Sequence, residues 1–221
     1  MAFPEQRTAL DARELVVADP IPLGLAAFAL PLFLLGGYLA DFIPNWVWIG
    51  PGVFLGGLVQ ILAGLWAFRN RDVLAATAFS IYGGFFLTFL FVGIGGFGAG
   101  RADVANGLAW LLVAMTFFTS YLLLASMRYG AGLFGFFLGL ELTQILLVIC
   151  LFVAAHRQIS IGSSGFVSDD GWTKVAGWLA IATAAVAWLT SAAGVAVGTG
   201  GPAWLAPLGR PLSWSRPTRP S

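Results

Sequence analysis

Long stretches of this chain carry almost no charge, and this feature limits the possible folds more than any other. A helix needs about 20 apolar residues to cross the roughly 30 Å hydrocarbon core of a bilayer. The stretch Val73–Gly100 has no charged residue, and Tyr129–Ala155 is interrupted only by Glu141. Segments of this length predict membrane-spanning helices, because a spanning backbone must satisfy its own hydrogen bonds.

Six such spans follow one another along the chain. They are Leu23–Ala40, Val53–Phe68 within the uncharged stretch Phe42–Phe68, Val73–Gly100, Gly107–Met127, Tyr129–Ala155 and Trp172–Val197. We expect loop and membrane interface around Pro44, Asn45 and Pro51. A β-barrel would need strands of about 10 residues that alternate between apolar and polar positions. Runs such as Ile145–Ala155 are apolar on every face, so we predict an all-α integral membrane protein with six transmembrane helices per protomer forming a bundle.

The composition excludes several other classes of protein. Apolar residues make up 59% of the chain and charged residues 10%, against about 45–50% and 25% in soluble domains. A net charge of +1 provides no basic field that would hold a nucleic acid. Cys150 is the single cysteine, and no zinc-protease, paired-carboxylate or phosphate-loop motif occurs. We therefore expect no enzyme activity, no metal, no cofactor and no nucleic-acid partner.

The basic residues in the loops predict how the chain is oriented in the bilayer, since such residues are concentrated on the cytoplasmic side. With six spans, one side holds eight of them and the other side three. The eight are Arg7, Arg13, Arg69, Arg71, Arg128, Arg210, Arg216 and Arg219, and the three are Arg101, Arg157 and Lys174. We predict two cytoplasmic tails, residues 1–18 and the proline-rich residues 210–221, flanking a transmembrane domain of residues 19–209 in the plasma (inner) membrane.

Few polar side chains lie within the spans, and these are the candidate functional groups. A charge at the centre of a membrane helix costs about 2.5–3.5 kcal/mol on insertion scales, so Glu141 stands out. Its carboxyl could titrate beside a solute path, or it could be protonated and bonded to a neighbouring helix. Gln60 could donate to a solute carboxylate or make an interhelical hydrogen bond, and Tyr82 could narrow a pore. The glycine pair Gly57 and Gly64 lies on one helical face, where small residues allow close helix packing.

Three stretches are similar to one known family. The first reads Asp19-Pro20-Ile21-Pro22-Leu23-Gly24-Leu25. It resembles the signature Asn-Pro-Ala-Pro-Leu-Gly-Leu of the acetate uptake transporter family, the YaaH-type, SatP-like proteins, with Asp19 in place of the asparagine. The second comprises Gly56–Gly64 and Thr77–Gly83, which look like the family's second and third helices. The third, Gly177–Leu179 with Leu205–Gly209, is similar to its last helix and tail.

The resemblance implies a ring-like hexamer of six-helix protomers in the lipid bilayer. Each protomer would have its own path for acetate and related small monocarboxylates, with succinate in some members. Family members narrow this path with a Phe-Tyr-Leu constriction, which carries over to Phe28, Tyr82 and Leu140. An apolar constriction hinders hydrated ions by dewetting. The polar groups expected along the path are then Asp19, Gln60 and Glu141.

The leading functional hypothesis is a membrane transporter or channel for small monocarboxylates. Coupling of this transport to protons is compatible with the hypothesis. A pore for another small neutral or weakly acidic solute is the first alternative, because Asp19 and Glu141 differ from the family pattern. A membrane scaffold or sensor that transports nothing is the second. The sequence does not distinguish a channel from an alternating-access carrier.

Overall fold

Helices account for nearly all of the chain that the computed structural model describes, which comprises residues 18–93, 100–157 and 171–200. Six of them are long and apolar enough to cross a membrane. They are α1 (Ile21–Leu39), α2 (Asn45–Arg69), α3 (Val73–Gly93), α4 (Arg101–Ser126), α5 (Ala131–Arg157) and α6 (Gly171–Gly198). The predicted fold class is confirmed, and the chain is an integral, multi-pass membrane protein. The two predicted tails lie outside the described residues, apart from Ala18.

The predicted span boundaries agree closely with the helices at most positions, and the start of α4 differs. This helix begins at Arg101 rather than at Gly107, because a helix can continue beyond the apolar segment into the membrane interface. Asp103 lies in its first turn, where the positive end of the helix dipole stabilises a carboxylate. The end of the third span differs as well, since α3 ends at Gly93 and residues 94–99 are not described.

The prediction of a loop is correct at Pro44, which is extended, and wrong from Asn45 onward, where α2 begins. The helix passes through a 3₁₀ turn at Asn45–Val47, an α turn at Ile49–Pro51 and a π-helical stretch at Gly52–Val59 before the regular α-helix of Gln60–Arg69. A proline is tolerated in the first turn of a helix, since the backbone N–H it lacks would have had no intrahelical acceptor there. Pro51 lies in the first α-helical turn, so it permits a helix where the sequence analysis expected a loop.

The six helices form a ring in chain order. Each packs against the next one along the chain, and α6 packs extensively against α1, which closes the ring. Among the described residues, α3 and α4 approach each other least closely of the neighbouring helices. Buried side chains from α1, α3, α4 and α5 belong to one continuous apolar core. The inside of the ring is therefore filled by side chains.

Small residues allow α1 and α6 to touch along their backbones. A Cβ atom built on Gly177 would lie 2.6 Å from the carbonyl oxygen of Gly36 and 2.6 Å from the backbone nitrogen of Ala40. At the other end of the same contact, the hydroxyl of Ser191 donates to the carbonyl oxygen of Pro22 at 2.7 Å. The two helices are thus held by close packing at one end and by a hydrogen bond at the other.

The predicted glycine face of α2 lies against α3. A Cβ on Gly57 would lie 2.6 Å from the side chain of Leu87, and one on Gly64 would lie 2.4 Å from the hydroxyl of Ser80. Both glycines therefore serve packing within the bundle. The signature glycine Gly24 has a comparable role, because a Cβ there would meet the ring of Phe79 at 2.4 Å.

Candidate functional site

The start of α1 borders an open vestibule of about 140 Å³. Its walls come from α1 and the residues just before it, from α5 and α6, and from the segment that joins α4 to α5. They comprise Asp19, Ile21, Pro22, Tyr129, Gly130, Leu133, Thr190 and Gly194. Asp19 Oδ1 accepts a hydrogen bond from the backbone N–H of Ile21 at 2.9 Å, so this carboxylate is turned toward the first turn of the helix.

Hydrogen bonds from two turns of the chain hold the residues next to the vestibule in place. The side-chain amide of Asn70 donates to the carbonyl oxygen of Ala18 at 3.2 Å. The hydroxyl of Tyr129 donates to Asp72 Oδ1 at 2.9 Å, and the same oxygen accepts the backbone N–H of Ala75 at 3.0 Å. Asp72 thus caps the start of α3 and also positions a vestibule side chain. Burial, followed by this hydrogen bond and the charge of Asp72, raises the pKa of Tyr129 from 10.0 to about 12.

A second, enclosed cavity of about 10 Å³ lies deeper in the bundle. Ile21 and Leu133 line both the vestibule and this cavity, so they form the partition between them. Gln60 and Tyr82 belong to the wall of the inner cavity, together with apolar side chains. A volume near 10 Å³ is the lower limit for one water molecule, so the structure shows the interior in a closed state.

Gln60 has the environment expected of a ligand-binding group. Its side chain is 1% exposed, and neither its amide nitrogen nor its carbonyl oxygen has a hydrogen-bond partner among the described residues. Leaving a buried polar group unpaired costs about 1–3 kcal/mol. The interhelical hydrogen bond considered from the sequence is not made by Gln60 within the part of the chain that the structure describes.

Four aromatic rings meet beside the cavity, and two of them, Phe28 and Tyr82, are predicted constriction residues. The ring of Phe28 lies 5.2 Å from Tyr82, 5.3 Å from Phe86 and 5.2 Å from Phe136, each in an edge-to-face arrangement. Leu140 is 4% exposed and belongs to the same core, one helical turn beyond Phe136. The structure therefore brings Phe28 and Tyr82 into contact, and Phe136 from α5 contacts Phe28.

Phe136 did not emerge from the sequence analysis. Residues four positions apart on a helix lie on the same face. The position of Leu140 could therefore have indicated Phe136 as a second candidate from α5. The interhelical hydrogen bonds of the site were also missed, since they depend on which helices are neighbours.

The hydroxyl of Tyr82 points toward α4. It lies 2.5 Å from Thr119 Oγ1, which in turn lies 2.7 Å from Gln144 Oε1 on α5. One residue along α4, Ser120 donates to Glu141 Oε1 at 2.7 Å. Glu141 as a residue is 9% exposed, and its buried Oε2 atom has no hydrogen-bond partner among the described residues. Two polar contacts thus cross from α4 to α5 next to the aromatic cluster.

Metal ligands are not assembled in the described ranges. Nowhere in residues 18–93, 100–157 and 171–200 do three His, Cys, Asp or Glu side chains come together. What the arrangement offers instead is a vestibule, a partition, a small cavity with an unpaired amide, and a cluster of aromatic rings. This sequence of features suits the passage of a small, partly apolar solute.

Comparison with known proteins provides independent evidence on the family to which the chain belongs. The sequence profile described as the GPR1/FUN34/yaaH family matches residues 5–206. The chain is 35% identical over 189 residues to accumulation of dyads protein 2 of Saccharomyces cerevisiae. The match covers 81% of this chain and 62% of the yeast protein. The chain is 32% identical over 200 residues to acetate permease A of Emericella nidulans, with the same coverage of 81% and 62%. The chain therefore spans somewhat less than two thirds of the length of these curated relatives.

A solved structure has the same arrangement of helices. The structure of the bacterial acetate channel SatP matches with a TM-score of 0.70 and 25% sequence identity, covering 83% of this chain and 96% of that one. The matched profile extends over most of the sequence, including the stretch Asp19–Leu25 and all six helices. From these matches we conclude that the chain belongs to the GPR1/FUN34/yaaH family.

Proposed function

We propose that this protein is a membrane transporter or channel that carries acetate and related small monocarboxylates across a bilayer. Family membership, a relative named as an acetate permease and a structural neighbour described as an acetate channel support this proposal. The fold supports it as well, because a vestibule lies at the start of α1 and Gln60 lies in the wall of a small, mostly apolar cavity behind it. Succinate is a further candidate substrate, as the resemblance to the family implies.

The unpaired amide of Gln60 is the observation that carries the proposal. A side chain that is buried without a partner costs free energy, and a protein recovers this cost when a ligand supplies the missing partner. The amide nitrogen can donate one of its N–H groups to a carboxylate oxygen. The rest of the cavity wall is apolar, apart from Tyr82, and it suits the methyl group of acetate.

The path that we propose begins at the vestibule beside Asp19. It passes the partition formed by Ile21 and Leu133, reaches the cavity beside Gln60, and crosses the constriction of Phe28 and Tyr82. Leu140 is assigned to the same constriction through the family resemblance, and Phe136 through its contact with Phe28. An apolar constriction of this kind stops hydrated ions by dewetting, whereas a small acid that sheds water or gains a proton can pass.

Replacing Gln60 by leucine tests this function. Gln60→Leu keeps the approximate size of the side chain and removes both unpaired polar groups. We expect acetate uptake by proteoliposomes to fall well below the wild-type rate, while the free energy of unfolding rises by about 1–3 kcal/mol. Radiolabelled acetate uptake and thermal unfolding in detergent measure the two effects.

A matched variant separates loss of binding from loss of fold. In Gln144→Leu the removed amide is one that is bonded in the structure, so that variant should lose stability.

If wild-type uptake equals that of empty liposomes for acetate but not for another small solute, the first alternative from the sequence is correct. If no solute in a panel is taken up, the protein is a scaffold or sensor instead.

The location and assembly of the protein are also proposals. We infer that it resides in the plasma (inner) membrane with both termini in the cytoplasm, on the basis of the basic residues in its loops. We infer a homo-hexamer from the family resemblance. Reporter fusions at each terminus test the orientation, and the mass of the detergent-solubilised protein tests the hexamer.

A further inference from the structure

Tyr82 is fixed in the constriction by contacts on three sides. Its ring packs edge-to-face against Phe28 at 5.2 Å and against Phe118 at 5.3 Å. Its hydroxyl lies 2.5 Å from Thr119 Oγ1. Only 1% of the Tyr82 surface is exposed, so the ring cannot leave the constriction unless the hydroxyl changes its hydrogen-bond partner.

Thr119 is itself fixed in place, which makes it a suitable anchor. Its side chain is 0% exposed, and its Oγ1 atom lies 2.7 Å from Gln144 Oε1 and 2.7 Å from the carbonyl oxygen of Met115. A threonine hydroxyl has a single hydrogen, so it cannot donate to all of these oxygens at once. Either hydroxyl of the Tyr82–Thr119 pair can be the donor, and the two side chains are joined in both cases.

The hydrogen bond lies where the ring of helices is weakest. Within the described residues, α3 and α4 approach each other less closely than the other neighbouring helices. Tyr82 on α3 and Thr119 on α4 join these two helices through side chains at the level of the constriction. A movement of Tyr82 that widens the constriction would separate the two oxygen atoms.

We propose that Thr119 is a positioning residue that holds Tyr82 in the closed constriction and thereby limits the size of the acid that passes. This inference rests on the proposed function and extends it to substrate specificity. Thr119 acts through Tyr82 and does not contact the solute. Gln144 supports it by directing the threonine hydroxyl.

The experiment compares the uptake of labelled acetate with that of labelled butyrate. A neutral hydrogen bond changes the ratio of two states by a factor of about 2 to 12. We expect the butyrate-to-acetate uptake ratio to rise by about this factor in Thr119→Val, which keeps the shape of the side chain and removes the hydroxyl. Thr119→Ser restores the hydroxyl and should restore the wild-type ratio.

Three further variants show whether the change in the ratio comes from the hydrogen bond or from a general loss of folding. Tyr82→Phe removes the same hydrogen bond from the other end, so it should raise the ratio too. The double variant should give no more than either single change, because both remove one interaction. Thr143→Val is the matched control, since Thr143 is equally buried and its hydroxyl donates only to Gly139 O in its own helix.

Equal ratios in Thr119→Val, Thr119→Ser and the wild type would overturn the proposal. So would a rise in Thr119→Val that Thr119→Ser fails to reverse, because that result would indicate a packing role. A rise of the same size in Thr143→Val would be equally damaging, since it would reveal a general loosening of the bundle.

A second measurement does not depend on carboxylate transport. In a Cys150→Ala background, Leu25→Cys places a thiol in the wall of the inner cavity, on the vestibule side of the constriction. Methyl methanethiosulfonate, a small neutral thiol reagent, can reach this thiol past the partition or past Tyr82, and only the second route depends on Thr119. Labelling should be faster with Thr119→Val. Faster labelling in a protein that takes up no acetate would uphold the role of Thr119 and refute the proposed function, and unchanged labelling would overturn the role itself.

Discussion

Glu141 is the residue whose surroundings are least expected in a membrane helix. It lies near the middle of α5, where Ser120 donates to one oxygen and the other oxygen has no partner among the described residues. A full charge there is costly, by about 2.5–3.5 kcal/mol on insertion scales. Glu141 is therefore the residue through which proton coupling can be tested.

We expect Glu141→Gln to flatten the pH dependence of acetate uptake. Glutamine keeps the size of the side chain and an acceptor for Ser120, and it removes the titratable group. Uptake is measured from mildly acidic to neutral pH, and the rate of empty liposomes is subtracted to remove diffusion of the protonated acid. Asp41→Asn serves as the control, because Asp41 pairs with Lys174 in an exposed contact at 3.0 Å. A profile of unchanged shape in Glu141→Gln would exclude this residue from proton coupling.

At the scale of the helices, the sequence predicted six spans and the structure confirms them. Uncharged length is enough for that prediction, because the bilayer imposes it. The π-helical stretch of α2 was not predictable in the same way, since it accompanies the packing of Gly56 and Gly57 on α3. The hydrogen bond between Tyr82 and Thr119 was missed for a related reason. Neither residue reveals from its own segment that α3 and α4 are neighbours.

Contacts between helix backbones predict where alanine is tolerated. Gly177→Ala places a methyl group against backbone atoms of α1 at 2.6 Å, and backbone cannot move aside cheaply. We expect a loss of about 1–3 kcal/mol in the free energy of unfolding, as for other overpacked sites. Chemical unfolding in detergent micelles measures it.

Gly135→Ala is the matched control for this prediction. Its methyl group would meet only Val186 Cγ1, at the ordinary distance of 3.6 Å. We expect that variant to be neutral, or to gain up to about 1 kcal/mol from the higher helix propensity of alanine. Equal stability of the two variants would contradict the backbone contact between α1 and α6.

At the scale of the whole molecule, short side-chain contacts join distant parts of the chain around the vestibule. Asp72 connects the start of α3 to Tyr129, which follows α4, and Asn70 holds the segment before α1. The raised pKa of Tyr129 favours its neutral form in the folded protein. This residue therefore contributes stability that is fully present below the ordinary tyrosine pKa of 10.0 and is lost as the pH rises through about 12.

We expect Asp72→Asn to lower the pKa of Tyr129 from about 12 to a value nearer 10.0. Asparagine caps a helix about as well as aspartate, so the variant removes the charge and leaves the start of α3 intact. The phenolate absorbance of the wild type minus that of Tyr129→Phe isolates this tyrosine. Asp41→Asn should leave the difference titration unchanged. An unaltered titration in Asp72→Asn would mean that burial alone sets the value.

The contact between α1 and α6 also has a consequence for how the protein is made. Ser191 and Pro22, which it joins, are 169 residues apart in the sequence. At synthesis rates of about 5–20 residues per second, the first helix waits in the bilayer for roughly 10–30 s before its main partner emerges. During this interval the groove at Gly36 faces lipid or another helix. The bundle is thus completed only after α6 has been synthesised, and nascent chains stalled before α6 would be natural targets for membrane quality control.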